Sequence, residues 1–251
     1  MNNLLTSLRN AQPALSQKLE AGFIESPHEF ELDIARVAMP LNLVSHMLEF
    51  VPDESLPPDI CGAALKRRLN FIGGRFCAES ALERIGFAGA VVQRDALGAP
   101  IWPDGTVGSI THTDQFAYAV VSRSVQTGNV GIDSEDIFSD SVLTDVRSMC
   151  CTGNENLNLF NSTNSNVVGT IIFSVKESLY KSIHPIVKRF VDFSEVEITG
   201  IDWYLSKISL RSVRECDLSS VISSCYAFFC ISNESKHTTV HTSVYVKSIA
   251  I

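Results

Sequence analysis

The chain has 251 residues, of which 45% are hydrophobic, and carries a net charge of −8 at pH 7. This length fits one large domain or two smaller ones, and the apolar content is ample for a buried core. The acidic balance argues against nucleic acid or an anionic membrane as a general partner, so an anionic ligand must meet a local basic patch. The longest apolar runs, near 167–173 and 226–231, are too short to span a bilayer.

Residues 1 to about 56 show only a weak pattern of polar and apolar residues. We interpret them as a loosely specified N-terminal segment, the lead-in. Pro57-Pro58 then opens a helical stretch, and after an interruption at Gly73-Gly74 a second helical run ends at Gly86. Short strands are predicted at 89–93 and 116–122.

A third short strand is predicted at 130–135, after the turn signal Gly128-Asn129. A polar helix follows from Asp140 to Met149. Residues 157–168, rich in Asn and Ser, indicate a loop or a helix of low propensity. An amphipathic helix then ends before Pro185. The remaining sequence predicts antiparallel strands at 196–204, 224–231 and 238–247.

Helices precede strands in both parts of the chain, which predicts an α+β fold. We expect two similar halves related by a pseudo-twofold, residues 1–127 and 128–251, with the active site in the cleft between them.

The seven cysteines are odd in number and form no Cys-x-x-Cys pair, which favours reduced thiols without a disulfide partner or a zinc site. The first residues lack a charged segment followed by a sustained apolar stretch, so we expect no secretory signal. The predicted location is cytoplasmic, and a monomer is expected.

Acidic and basic side chains share faces in two separated segments. Asp133 and Glu135 are two apart in a predicted strand, so both point to one face. Glu177 and Lys181 are four apart in a predicted helix, so they also share a face. Oxygen ligands beside cations are typical of a magnesium site that binds substrate phosphate.

Each of these features is common when taken alone. Most Asp-x-Glu pairs are solvated strand ends, and the basic run Lys66 to Arg68 would usually be a solvated helix face. A lone histidine such as His112 is more often structural than functional. The order and spacing of several motifs together carry the functional prediction.

Five segments between about residue 60 and residue 185 occur in a recognisable order. They are Arg67 with Arg75, Gly98-Ala99-Pro100-Ile101-Trp102-Pro103, Gly108-Ser109-Ile110-Thr111-His112, Gly131-Ile132-Asp133-Ser134-Glu135, and Phe173-Ser174-Val175-Lys176-Glu177-Ser178-Leu179-Tyr180-Lys181. With them the chain resembles the Sfp/EntD-type 4′-phosphopantetheinyl transferases, in the branch associated with siderophore synthesis.

The resemblance implies a role for each matching residue. Asp133, Glu135 and Glu177 match the carboxylates that bind Mg²⁺. The residues that match contacts to coenzyme A are Lys176 and Lys181 near the pyrophosphate, Arg67 and Arg75 near the 3′-phosphate, the Gly98-Ala99-Pro100 turn at the adenine, and Thr111 with His112 beside the phosphates. For catalysis we single out Glu177 as the base, with Lys181 and His112 beside it.

Two positions depart from the family pattern. Thr111 stands where serine is usual, which keeps the hydroxyl. Ser134 stands where a large apolar residue is usual, on the opposite strand face from the carboxylates, which bears on packing rather than on metal binding.

The implied reaction transfers 4′-phosphopantetheine from coenzyme A to a serine of a carrier protein and releases 3′,5′-ADP. The carrier could serve siderophore, polyketide, fatty-acid or polyunsaturated fatty-acid synthesis. Two alternatives remain at this point: a metal-dependent phosphodiester hydrolase and a catalytically inactive scaffold that binds carrier proteins. The basic patch tells against the hydrolase, and the presence of all three carboxylates tells against the scaffold.

Overall fold

The computed structural model describes residues 34–48, 51, 56–96, 98–123, 128–160, 164–213, 218–234 and 237–247. The chain divides into two compact units, Met1–Gln126 and Thr127–Ile251. Each unit contains helices and an antiparallel sheet, which confirms the predicted α+β class. The pseudo-twofold, the cleft and the separate roles of the two halves stay predictions. In the described part of the chain, no helix has the length and apolar character needed to cross a membrane.

The N-terminal unit is built on a three-stranded sheet in the order β1-β5-β4. Its strands are β1 (Ile34–Pro40), β4 (Thr106–His112) and β5 (Phe116–Arg123). The short strands β2 (Gln93–Arg94) and β3 (Pro100–Ile101) form a separate ribbon. The helices of the N-terminal unit are α1 (Leu41–Met47), α2 (Pro58–Cys61) and α3 (Leu65–Arg84). The lead-in interpretation is therefore wrong for β1, which the sequence pattern missed because pairing with β5 defines it.

Helix α3 runs unbroken through Gly73 and Gly74, so the predicted interruption is wrong. A Cβ atom at Gly73 would lie 2.9 Å from the Cβ of Ala117, and one at Gly74 would lie 2.7 Å from a methyl carbon of Ile110. These glycines therefore let the helix pack closely on β5 and β4, and they do not end it.

The C-terminal unit contains a five-stranded antiparallel sheet in the order β6-β10-β9-β8-β7. The strands are β6 (Asn129–Asp136), β7 (Val196–Asp202), β8 (Lys207–Ser212), β9 (Cys225–Glu234) and β10 (His237–Val246). The predicted strands at 130–135, 196–204, 224–231 and 238–247 are confirmed with small shifts of their ends. Strand β8 and the short helix α7 (Leu218–Ser223) were not predicted.

Helix α6 (Ser165–Val187) packs against this sheet, and α4 (Asp140–Cys150) and α5 (Gly153–Asn158) precede it. The residues that bury α6 recur at helical spacing: Val168, Ile172, Val175, Leu179 and Ile183. The helix contains Pro185, although it was predicted to end before it. A proline in the last turn removes one helical N–H, and Lys188 closes the helix in the left-handed conformation with its N–H on the carbonyl of His184.

Candidate active site

A basic cavity of about 650 Å³ opens in the N-terminal unit. It is lined by Lys66, Arg67, Arg75, Arg94 and His112, together with Gly98 and Pro100. The protein as a whole is acidic, so this concentration of cations is a local feature. A cavity with these walls is suited to a ligand that carries several phosphate groups.

Arg75 is the most deeply placed of these cations, with only 8% of its surface exposed. Burial, followed by repulsion from Arg94, lowers its pKa to about 10, so it remains charged at neutral pH. Its Nη2 donates to the carbonyl of Gln93 at 3.3 Å, and its guanidinium lies 5.1 Å from the centre of the Phe71 ring. Its buried Nε has no hydrogen-bond partner among the described residues, so a phosphate oxygen would satisfy it.

Arg94 lines the same cavity and was missed in the sequence, because it directly follows a short predicted strand and belongs to no motif. Its Nη1 donates to both carboxylate oxygens of Asp59 at 3.0 Å, which holds the pKa of Asp59 below its usual range. Arg67 lies 3.7 Å from the same carboxylate. The guanidinium groups of Arg94 and Arg67 thus both lie next to the carboxylate of Asp59 at the rim of the cavity.

The predicted adenine turn is a tight connection between β2 and β3. The N–H of Ala99 donates to Oδ1 of Asp95 at 2.9 Å, and the N–H of Asp95 donates to the carbonyl of Ala99 at the same distance. Gly98 has a φ of +93°, and a Cβ there would lie 2.9 Å from Nη2 of Arg94. The left-handed backbone therefore favours glycine here, and a Cβ would displace the end of the Arg94 side chain.

His112 and Thr111 differ in their surroundings. His112 lines the cavity beside Ile110, and both of its ring nitrogens lie 3.4 Å from the Asn70 amide nitrogen. Thr111 is buried and is not part of the cavity wall. Adjacent strand residues point to opposite faces, so of the predicted pair only His112 lines this cavity.

The three predicted metal ligands lie on neighbouring elements of the C-terminal unit. Asp133 and Glu135 occupy alternate positions of β6, and Glu177 lies on α6 one turn before Lys181. The ammonium of Lys181 donates to Oδ1 of Asp133 at 2.7 Å and to the carbonyl of Ile132 at 3.2 Å. These hydrogen bonds join helix α6 to strand β6 at the predicted metal site.

The carboxylates repel one another electrostatically. Burial, followed by repulsion from Asp133, raises the pKa of Glu135 to about 8. Burial also raises the pKa of Glu177, with Lys181 opposing the shift and Asp133 adding to it. A hard divalent cation such as Mg²⁺ prefers carboxylate oxygens and would relieve the repulsion that acts on Glu135 and Glu177. As the described side chains stand, no three acidic, histidine or cysteine groups are arranged to hold a metal ion.

The side chain of Lys176 is not available for the contact with coenzyme A that the sequence predicted. Its side chain is 2% exposed, and its ammonium donates to the carbonyls of Cys150 and Phe193 and to Oε2 of Glu155, at 2.8, 3.0 and 2.9 Å. An ammonium has three N–H donors, so none is left for a phosphate. We correct its role from a coenzyme contact to a buried structural ion pair.

Glu155 is the partner that the sequence reading overlooked. It also accepts hydrogen bonds from the backbone N–H groups of Thr152 and Ile198, at 2.6 and 2.7 Å. Thr152 and Glu155 form a capping box at the start of α5. The sequence Thr152-Gly153-Asn154-Glu155 carries the signal for this cap, although not for the pairing with Lys176.

A second cavity, of about 120 Å³, lies beside Glu177. Its walls are mainly apolar and include Leu179, Tyr180, Ile183, Phe190, Val191, Phe193 and Val196. Lys176 also contributes to the wall. Glu177 and Asp192 complete the lining.

Two family models match the chain over most of the regions described above. Residues 56–122 match the 4′-phosphopantetheinyl transferase N-terminal domain, and residues 129–238 match the 4′-phosphopantetheinyl transferase superfamily. The basic cavity lies in the first match, and the carboxylates with Lys181 lie in the second.

Three relatives are similar to the chain over more than half of its length. The 4′-phosphopantetheinyl transferase Npt of Nocardia iowensis is 32% identical over 166 residues, which is 62% of this chain and 71% of the relative. PptT of Mycobacterium tuberculosis is 34% identical over 59% of this chain and 64% of its own length. Enterobactin synthase component D of Escherichia coli O157:H7 is 31% identical over 68% of this chain and 83% of its own length. The chain belongs to the 4′-phosphopantetheinyl transferase superfamily, as its motifs predicted.

Proposed function

We propose that this protein transfers 4′-phosphopantetheine from coenzyme A to a serine hydroxyl of a carrier protein, with Mg²⁺ as cofactor, and releases 3′,5′-ADP. Family membership supports the reaction class. The observation that carries the proposal is the cavity lined by four cationic side chains and His112 in a protein with a net charge of −8. Coenzyme A carries several negative charges on its pyrophosphate and 3′-phosphate, and such a cavity offsets that charge.

In this proposal the phosphates of the coenzyme bind Arg67, Arg75, Arg94 and His112. Arg75 is assigned to the 3′-phosphate by the resemblance to the family, and its buried Nε, which has no partner among the described residues, supports a contact with a phosphate oxygen. The turn at Gly98 and Pro100, which lines the cavity, contacts the adenine.

Asp133, Glu135 and Glu177 would hold Mg²⁺, whose positive charge lowers the energy of the negative charge that builds up on the pyrophosphate. Lys181 bonds to Asp133 and contributes a second positive charge near the same carboxylates. Glu177 accepts the proton of the attacking serine, directly or through a water that it orients.

The carrier protein and its pathway are inferred from the names of the relatives. Several relatives are named enterobactin synthase component D, so we infer a peptidyl carrier domain of siderophore synthesis as the first substrate to test. Acyl carriers of fatty-acid, polyunsaturated fatty-acid or polyketide synthesis are the alternatives. We further propose that the protein acts as a cytoplasmic monomer.

The test incubates the protein with coenzyme A, Mg²⁺ and a panel of purified carrier domains, followed by mass spectrometry of carriers and nucleotides. A gain of one phosphopantetheine mass with stoichiometric 3′,5′-ADP is expected. Degradation of coenzyme A without carrier modification would instead indicate a hydrolase. Binding of the carrier without either product would indicate a scaffold.

A further inference from the structure

Three hydroxyl groups lie fully buried between helix α6 and strand β10. They belong to Ser174, Ser178 and Thr242, and each residue is 0% exposed. The Thr242 hydroxyl lies 2.9 Å from that of Ser174 and 2.7 Å from that of Ser178, and the Ser178 hydroxyl donates to the Thr242 carbonyl at 3.2 Å. We refer to these three residues as the hydroxyl cluster.

The hydroxyl cluster links the two elements that carry the proposed metal ligands. Thr242 lies directly opposite Asp133 in the antiparallel pairing of β10 with β6. Ser178 follows Glu177 in the helix, and Ser174 lies one turn earlier on the same face. A shift of the helix along its axis would therefore break the cluster and would also move Glu177 and Lys181 past Asp133.

The backbones of β6 and α6 are in close contact next to this cluster. A Cβ atom at Gly131 would collide with the carbonyl oxygen of Ser178 and would lie 2.7 Å from the backbone nitrogen of Ser182. Gly131 shares the strand face of Asp133, two residues away. This contact fixes how far apart the strand and helix are, but close packing alone is not directional. Hydrogen bonds are directional, so the hydroxyl cluster can fix the position along the helix axis.

We propose that Thr242 is a positioning residue for the carboxylate site: its hydroxyl, through Ser174 and Ser178, sets the placement of Glu177 and Lys181 relative to Asp133. The inference rests on the proposed function. Thr242 lies outside the five sequence motifs and beyond the end of the superfamily match at residue 238. Thr242 contacts no proposed ligand of the coenzyme or metal through its hydroxyl; it acts through the helix.

The opposite face of the same sheet provides a matched control. There Ser232 lies 2.9 Å from Nε2 of His241, whose Nδ1 lies 2.8 Å from the Ser134 hydroxyl. Ser232→Ala removes a hydrogen bond to a buried group without touching α6. Thr242→Val keeps the shape of the side chain and removes its hydroxyl, and Thr242→Ser restores the hydroxyl.

The experiment measures kcat and KM for carrier loading, and in parallel the Mg²⁺ concentration that half-maximally shifts the melting temperature. We expect Thr242→Val to lower kcat roughly tenfold to hundredfold with KM for coenzyme A changed less than about twofold, because a small misplacement of reacting groups has effects of this size. It should also raise the half-maximal Mg²⁺ concentration. Thr242→Ser and Ser232→Ala should stay within about twofold of the wild type in both measurements.

Equal kcat losses in Thr242→Val and Ser232→Ala would overturn the proposal, because a general loss of stability would then explain both. If Thr242→Val does not fold, Ser174→Ala replaces it. This variant removes one hydrogen bond of the hydroxyl cluster, and its kcat is compared with that of Ser232→Ala in the same way. A wild-type protein that loads no carrier refutes the proposed function instead, and the Mg²⁺ titration of the melting temperature then still tests the positioning role.

Discussion

The ammonium of Lys181 lies 2.7 Å from a carboxylate oxygen of Asp133, and this ion pair joins the helix and the strand that carry the candidate metal ligands. The Asp133 side chain is 5% exposed, whereas 29% of the Lys181 side chain remains accessible. The lysine can therefore reach a bound phosphate while it also neutralises Asp133. A cation that balances a ligand carboxylate and a substrate phosphate lowers the cost of bringing the two anions together.

Replacement of Asp133 by alanine should nearly abolish carrier loading without unfolding the protein, because it removes a proposed metal ligand and the partner of Lys181. The loss should exceed tenfold at saturating Mg²⁺, given the several kcal/mol expected of a Lewis-acid metal. Mass spectrometry of the carrier measures the rate. Asp145→Asn, an exposed carboxylate on α4, is the control. A variant that keeps more than about a tenth of the wild-type rate would contradict the assignment.

Arg75→Ala should weaken the binding of coenzyme A more than that of 3′-dephospho-coenzyme A. The buried guanidinium is proposed to contact the 3′-phosphate, and a charge-assisted hydrogen bond contributes roughly 1.5–3 kcal/mol. Calorimetric titration with both ligands gives the difference. Arg84→Ala, at the end of the same helix, serves as the control because its side chain does not line the cavity. Equal weakening for both ligands would place Arg75 away from that phosphate.

Glu177→Gln should reduce turnover more than it reduces coenzyme A affinity, because the amide keeps an oxygen for the metal but cannot accept the serine proton. Carrier loading is measured against pH at saturating Mg²⁺ and coenzyme. Since the carboxylate works as a base only when ionised, protonation of Glu177 sets the acidic limb of the wild-type profile. The limb should be lost in the variant. If it persists with near-normal turnover, another group takes the proton and Glu177 is a ligand alone.

Lys176→Met should destabilise the fold and leave coenzyme A binding nearly unchanged. Methionine preserves the apolar stem, but it leaves the buried Glu155 carboxylate without its ion-pair partner, a loss of roughly 3–5 kcal/mol. Urea denaturation measures the stability, and titration with coenzyme A measures affinity under folding conditions. Lys188→Met, at the C-cap of the same helix, is the control. A strong loss of affinity in a stable Lys176 variant would restore the original assignment.

His241 should make the protein less stable as the pH falls from 6.5 towards 4. Burial lowers its pKa in the folded state to about 4, from 6.5 when unfolded, with Asp133 opposing the shift. Below pH 6.5 the unfolded chain binds a proton that the folded protein does not, so the free energy of unfolding decreases until the folded pKa is reached. The total contribution is about 3 kcal/mol.

Urea denaturation at pH 7.5 and pH 5 measures this dependence. Glu135, whose pKa is raised to about 8, acts in the opposite direction over this range, so the stability of the wild type is compared with that of His241→Gln at each pH. The free energy of unfolding of the wild type relative to His241→Gln should be lower at pH 5 than at pH 7.5. His237→Gln, at an exposed position of the same strand, should show the wild-type pH dependence. An identical pH dependence in all three proteins would assign it to other groups.

Local periodicity was sufficient to predict the pairing of Asp133 with Glu135 on one strand face and of Glu177 with Lys181 on one helix face. The same reasoning failed where position depends on distant residues. Lys176 shares a motif with Glu177, yet its ammonium points to a carboxylate 21 residues earlier in the chain. Arg94 and Thr242 belong to no motif, and each acquires its role through residues far away in sequence. Ser134, the departure from the family pattern, is explained by its hydrogen bond to His241.

The packing of Gly73 and Gly74 limits how this enzyme can be engineered for heat resistance. Replacing a helical glycine by alanine usually stabilises a protein by about 0.4–1 kcal/mol through the entropy of the unfolded chain. At these two positions the added methyl group would force α3 away from its sheet, so the usual gain becomes a loss. Gly153, at the first position of α5, has open space around its Cβ direction and is a helical glycine at which alanine should stabilise the protein.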